Sequence, residues 1–156
     1  LSFNMIEKIE GLDCLKDLED LSLFHNKIKK LEGLDELHNL NVLSVGSNEL
    51  EHLDKSIDYL FSLTNKLEVL KIKDNLFKEV GSKEYTGRII AYLKQLKYLD
   101  YELIDEKVRE QANGEFSSDI EANNQNENAV EKVDTDVSNS IKELSEAHIH
   151  VTINMF

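Results

Sequence analysis

The stretch 23-LFHNKIKKLEGLDEL-37 repeats 1-LSFNMIEKIEGLDCL-15 at an offset of 22 residues. Leu1, Asn4, Ile6, Ile9, Gly11, Leu12, Asp13 and Leu15 recur as Leu23, Asn26, Ile28, Leu31, Gly33, Leu34, Asp35 and Leu37. A third copy keeps Leu40, Leu43, Val45, Asn48, Leu50 and Leu53. A fourth keeps Leu67, Leu70, Ile72, Asn75, Phe77 and Val80, displaced by 27 because five residues enter before it. Self-similarity at a fixed period predicts stacked units, none of which buries its apolar side alone.

The pattern is L-x-x-L-x-L-x-x-N-x-L, and it predicts an α/β leucine-rich-repeat solenoid. The alternation of Leu21 and Leu23 is a short strand with one face buried, and such strands side by side make a parallel sheet on the concave face. Asn4, Asn26, Asn48 and Asn75 fall where the chain leaves the strand. An interior amide there bonds backbone groups that the turn leaves unpaired, so the four are expected to form a structural ladder. On the return path Ile28, Leu31, Leu34, Leu37 and Leu40 recur every third residue, which suits a 3₁₀-like or extended path on the convex face. The inserted stretch 56–66 differs: Ile57, Leu60, Phe61 and Thr64 have helical spacing and predict a short α-helix.

Repeats occupy 1–81 in this reading, the first of them incomplete. Because Leu1 already stands at a strand position, further repeats or a cap are expected upstream. From Ser82, read as an N-cap, Tyr85, Ile89, Tyr92, Leu93 and Leu96 share a helical face, and 96-LKYLDYELID-105 supplies a last strand and turn. Residues 82–111 are therefore expected to be a C-terminal cap that shields the last core face from water. Beyond it, 112–156 reads as a disordered acidic tail. Its segment 113–129 is rich in Asn, Glu and Ser and has only Phe116 and Ile120 as large apolar residues, too few to offset the entropy of ordering. Val130, Val133, Val137, Ile141 and Leu144 trace a short partner-dependent helix, and Ile149, Val151 and Ile153 alternate like a strand.

The 156 residues carry 31 Asp and Glu against 18 Lys and Arg, a formal charge of −13. That balance disfavours nucleic acid and anionic membranes as partners, since both require clustered cations. No apolar run reaches the ~20 residues of a membrane span. The one cysteine, Cys14, forms no intramolecular disulfide and suits a reducing compartment.

A search for chemistry finds none placed to work. Cys14 falls on the return path and His25 beside the strand end, so a thiol–imidazole pair is disfavoured and Cys14 reads as a partly buried thiol. His148 and His150 lack a third ligand. Glu19, Asp20, Asp35, Glu36, Glu49, Glu51 and Asp54 occupy solvated positions between leucines. No phosphate-cradling loop, nucleophile elbow or zinc-binding helix motif is present. The expectation is a protein without catalytic activity, cofactor or metal.

What remains is a surface. The residues facing out of the strands are Asp20, Ser22, Phe24 and His25, then Val42, Ser44, Gly46 and Ser47, then Val69, Lys71, Lys73 and Asp74, then Tyr98 and Asp100. One lateral column is Asp20, Val42, Val69, Tyr98. Phe24 stands beside Gly46, and Lys71 and Lys73 flank the stripe. An apolar stripe with a polar margin fits a docked helix or strand of another protein, so Asp20, Phe24, His25, Val42, Val69, Lys71, Lys73 and Tyr98 are the candidate partner-binding residues.

The stretches 6-IEKIEGLDCLKDLEDLSLFHNKIKKLEGLDELHNLNVLSVGSNEL-50 and 90-IAYLKQLKYLDYELIDEKVREQA-112 resemble the leucine-rich-repeat subunits of the axonemal nexin–dynein regulatory complex, the dynein regulatory complex subunit 3 family. The repeat itself is also similar to that of the protein-phosphatase-1 regulatory leucine-rich subunit and of axonemal dynein light chain 1. The resemblance implies a scaffold of the motile cilium or flagellum, part of the cytoskeleton, with coiled-coil subunits as partners and a microtubule association. A phosphatase-binding regulatory subunit using the same concave face is the alternative. The chain departs from the family in its Asn-rich linker and in Leu76, where related repeats often carry proline.

Overall fold

The computed structural model describes residues 1–63, 66–77 and 81–116, which belong to one compact unit spanning Leu1–Phe116. The readings of Thr64, Val80, the helix and strand traces of the tail, and the His148–His150 pair lie outside the described residues. Among the described residues the chain runs in the order β1 (Asp20–Ser22), β2 (Val42–Ser44), α1 (Leu53–Leu63), β3 (Val69–Lys71), α2 (Ser82–Tyr92), β4 (Tyr98–Leu99) and β5 (Glu102–Leu103). The chain is then helical over 106–116.

The strands form a single sheet in sequence order, parallel from β1 to β4, with β5 turning back antiparallel on β4. Leu21, Leu43, Leu70 and Leu99 align across it, and all four are buried. A strand only three residues long is stable here because each copy continues the core of the copy before it. Leu23, Ile28, Leu34, Leu40, Leu43, Leu50, Leu67 and Leu70 are almost wholly removed from water, a burial that contributes roughly 1.5–3 kcal/mol per side chain.

The leucine spacing of three on the return path is realised as successive turns. Leu15 N–H donates to the Leu12 carbonyl and Leu18 N–H to that of Leu15, and the next copy repeats this with Leu37 to Leu34 and Leu40 to Leu37, at 2.9–3.1 Å. These bonds span three residues as in a 3₁₀-helix, but only every third N–H makes one. The path is a chain of turns, and no continuous 3₁₀-helix forms among the described residues. Gly33 permits it with φ 69°, since a Cβ there would lie 2.4 Å from the Ile9 carbonyl oxygen.

Helix α1 forms where the insertion was expected but starts at Leu53. Its buried residues are Leu53, Ser56, Ile57 and Leu60. At 100° per residue Phe61 then falls at the edge of that stripe, and it is exposed, contrary to the expectation that it packs. In α2 the expected face is found: Ile89, Tyr92, Leu93 and Leu96 are buried and Tyr85 is half-buried. Its N-cap is Gly81, with extended backbone and no side-chain capping bond, so Ser82 is the first helical residue and not the cap. The two helices pack together, and Arg88 of α2 pairs with Asp54 of α1 at 2.8 Å.

The final helical stretch runs past the expected start of the tail at 112. Ala112 is buried and Phe116 sits so close over Gly87 that a Cβ there would lie 2.5 Å from its ring. Phe116 is thus a packing residue, although the composition of 113–129 predicts a linker there.

Candidate functional site

The open face of the sheet is built by alternation: Leu21 points inward, so Asp20 and Ser22 point outward. The register pairs Asp20 with Val42, Val42 with Val69 and Val69 with Tyr98, which is the lateral column expected from the repeat. Val42 and Val69 are half-buried by their neighbours, while Asp20 and Tyr98 at the two ends are exposed. The next column is Ser22, Ser44 and Lys71.

Aromatic groups hold both ends of this face. At one end Phe3, Phe24 and His25 cluster, with Phe3 edge-on to Phe24 at 5.6 Å and against the His25 ring at 5.2 Å. Phe24 reaches across Gly46, where a Cβ would meet the Phe24 ring at 3.4 Å and the Lys73 carbonyl oxygen at 3.0 Å. At the other end Lys71 Nζ lies 4.3 Å from the centre of the Tyr101 ring, a cation–π contact. Lys71 is therefore held by Tyr101, and Lys71 and Lys73 do not act as a matched pair of free cations. Lys73 is exposed and faces an adjoining groove of about 410 Å³ with Asp74, Phe77, Tyr85 and Glu102.

Phe3 and Tyr101 belong to the face and escaped the sequence reading. Phe3 stands one repeat before His25, so the 22-residue offset contained the signal for it. Tyr101 enters through a reversal that the repeat does not encode, since Asp100 and Tyr101 both have positive φ, 49° and 74°.

The ladder beneath the face is formed as expected in three of its four members. Asn26, Asn48 and Asn75 each accept an N–H from the preceding repeat, from Ile6, Ile28 and Leu50, all at 3.0 Å. Their amide nitrogens donate to the carbonyls of Leu23, Val45 and Ile72 in their own turns. Asn26 and Asn48 are buried and Asn75 half-buried. Asn4 is exposed and makes only the within-turn bonds, to the carbonyls of Leu1 and Ser2. The residue before each ladder asparagine, Phe3, His25, Ser47 or Asp74, has positive φ between 53° and 61°. The amide bonds therefore stabilise a left-handed turn that the sequence does not ease with glycine.

Electrostatics around the face are structural. Burial, then the Asp100 hydrogen bond, pushes the Tyr85 phenol far above its ordinary value. Burial likewise pushes Tyr59 up to about 12. The Lys97 ammonium, 2.7 Å from Glu68, holds that carboxyl below the usual range.

Nothing in the described residues assembles a reaction. Cys14 is exposed, not partly buried: it stands at the repeat position of Glu36, a variable place between leucines and not one of the inward positions. His25 is engaged with the two phenylalanines, and no hydrogen bond joins it to Cys14. Among the described residues no group of three or more His, Cys, Asp or Glu could hold a metal ion, and no helix is long and apolar enough to cross a membrane.

Comparison with known proteins agrees with this architecture. The family model described as leucine-rich repeat matches residues 1–133. No curated protein matches the chain. Among solved structures, a chain of the Drosophila melanogaster SNF/U2A′ complex is 29% identical with a TM-score of 0.63, over 72% of this chain and 64% of that one. This chain thus spans less than two thirds of the length of that relative. An internalin from Listeria monocytogenes, 23% identical with a TM-score of 0.50 over 64% of this chain and 26% of its own, shares the fold alone. The match over most of its length places the chain in the leucine-rich-repeat family.

Proposed function

We propose that the protein is a non-enzymatic scaffold of the axonemal nexin–dynein regulatory complex, holding a helical segment of a coiled-coil partner against the concave face of its repeat solenoid. The observation that carries the reading is the column Asp20, Val42, Val69, Tyr98, whose two valines make an apolar centre between Phe3 and Phe24 on one side and Tyr98 and Tyr101 on the other, on strands whose outer face no other element covers among the described residues. Val42 and Val69 offer the apolar floor, and Phe24, Tyr98 and Tyr101 offer large amphipathic or apolar anchors of the kind that dominate interface energetics.

Segment 82–111 serves as the C-terminal cap. Its support is that Asp100 ends the parallel run: its carboxylate takes the N–H groups of Ile72 and Lys73, and β5 turns back on β4. The ciliary assignment draws on the resemblance over 6–50 and 90–112. That a relative is found in a protein complex, SNF/U2A′, supports a binding role for the repeat face. Lys73, exposed at the margin, is the residue suited to an acidic surface such as a microtubule.

The test is localisation and capture of the tagged full-length protein in ciliated cells. Retention on axonemes after detergent extraction is expected, and Phe24→Asp with Val69→Asp is expected to abolish it with the fold intact by circular dichroism. Co-purification with a phosphatase without axonemal retention overturns the scaffold in favour of the regulatory subunit. Retention unaffected by the two substitutions but lost on removing 117–156 overturns the concave face as the contact.

A further inference from the structure

The outer face of the sheet has relief as well as composition. Its middle column is small: Ser22 pairs with Ser44 in register, the Ser2 and Ser22 hydroxyls lie 2.7 Å apart, and Ser44 is only 7% exposed. Along one side stand Val42 and Val69. Along the other the Phe24 ring covers Gly46, 3.4 Å from where a Cβ would be. A row of small residues between larger ones is a shallow trough, and this one crosses the strands. At β3 its column ends in Lys71, the register partner of Ser44, whose ammonium rests on the Tyr101 ring at 4.3 Å. A cation therefore stops one end of the trough.

The two ends of the trough differ in charge. Asp20 stands exposed at the β1 end, and neither it nor Lys71 belongs to an ion pair among the described residues. The acids closest in sequence to the Lys71 end, Asp74, Asp100 and Glu102, line the adjoining groove with Lys73. Of these, Asp100 is already engaged by Tyr85 and two backbone N–H groups. An ammonium has three donors, and the Tyr101 ring covers one side of it, so Lys71 is held in place with donors left for an acceptor in the trough. β1 and β3 are two strand spacings apart, about 10 Å, a distance that a helix covers in about two turns. A helix supplies what both charges lack. Its last carbonyls are unpaired acceptors at the negative pole of the dipole, and its first N–H groups form the positive pole.

We propose that the partner helix lies along this serine trough, across the strands, in one direction only: its N-terminal end over Asp20 and its C-terminal end against Lys71. The inference rests on the concave-face reading above, since a helix must occupy the face before it has a direction there. The apolar ridge of the helix sits over Ser22 and Ser44, between Phe24 and the two valines. The last turn presents its carbonyls to the Lys71 ammonium. Reversal sets the positive pole against Lys71 and the negative pole against Asp20, so both ends oppose it. At exposed positions each such contact is worth about a two- to fivefold preference, and the two act in the same sense.

The test uses the full chain with isotope-labelled backbone amides and a stapled helical peptide of about 14 residues, about 20 Å long. The peptide carries leucine along one face and glutamine elsewhere, so that with blocked ends only its dipole has a direction. A nitroxide at its N-terminus is expected to broaden the Leu21 and Ser22 amides more than those of Leu70 and Lys71, and a nitroxide at its C-terminus to do the reverse. Lys71→Gln should weaken binding about threefold and even out the broadening. Reversed or equal broadening in the parent, or a preference untouched by Lys71→Gln, overturns the direction and leaves the concave face as the contact. Failure of the peptide to saturate by about 1 mM, or binding unchanged by Phe24→Asp, overturns the concave-face reading and this inference with it.

Discussion

The Tyr85 hydroxyl donates a 2.5 Å hydrogen bond to Asp100, whose other carboxylate oxygen accepts the N–H groups of Ile72 at 2.7 Å and Lys73 at 3.0 Å. Elsewhere in the sheet the corresponding N–H groups go to backbone: Leu23 to the Ser44 carbonyl and Val45 to the Lys71 carbonyl. Ile72 is the counterpart of Val45, and Asp100 that of Lys71, so at the last repeat a side chain takes over what the next strand's carbonyl supplies in the others.

Removing that carboxylate leaves two backbone donors and a phenol without their acceptor. Asp100→Ala is expected to lower stability by about 2–3 kcal/mol and Tyr85→Phe by about 1–2 kcal/mol. Because the two residues share one network, the double substitution should fall short of the sum by at least about 0.5 kcal/mol. Urea denaturation of the four proteins measures this, and strict additivity would show that Asp100 and Tyr85 act separately.

Alkaline pH should weaken the fold through its tyrosines. Tyr59 is held up to about 12 by burial, and Tyr85 is raised further, first by burial and then by Asp100. A phenol with a folded-state value above the unfolded one, about 10, contributes stability that is complete below that pH. It is lost as pH climbs through the folded value. Denaturation midpoints should fall from pH 9 to pH 11.5, and Tyr59→Phe should flatten the decline relative to the parent. A steeper decline in Tyr59→Phe would contradict the assignment.

Two glycines at equivalent places in the repeat separate backbone strain from steric exclusion. Gly11 and Gly33 have nearly the same φ, 73° and 69°, but a Cβ on Gly11 meets nothing within 4 Å while one on Gly33 lies 2.4 Å from the Ile9 carbonyl oxygen. Gly11→Ala is expected to cost about 1 kcal/mol, the strain alone. Gly33→Ala should cost more than about 2 kcal/mol, because Ile9 is backbone and cannot swing aside. Thermal midpoints of the two variants give the comparison, and equal losses would mean that the return paths yield easily.

The parts legible in the sequence are those the repeat encodes directly. The alternation of Leu21 and Leu23 with Asp20 and Ser22 gave strand, inward face and lateral column together, because period two admits only one burial pattern. The helix start was missed because periodicity identifies a stripe and not its first residue: Leu53 belongs equally to the third repeat and to α1. Tyr101 and Phe116 were hidden for another reason. Each reaches its partner, Lys71 or Gly87, through a chain reversal or a helix end that no periodic signal marks.

The ladder offers the sharpest contrast within one residue type. Asn48 accepts the Ile28 N–H and donates to the carbonyls of Leu23, Val45 and Gly46, all within a buried setting, whereas Asn4 is exposed and bonds only within its own turn. Asn48→Ala strands an N–H and several carbonyls beyond the reach of water and removes the support of the left-handed Ser47, φ 53°. A loss of about 2–4 kcal/mol is expected, against less than about 1 kcal/mol for Asn4→Ala. Hydrogen exchange locates the effect: the Ile28 amide should lose protection in Asn48→Ala beyond the global change, while protection at Leu50, whose N–H bonds Asn75, should follow global stability. Uniform loss at both amides would show that the rungs fail together, as a cooperative stack and not as separate braces.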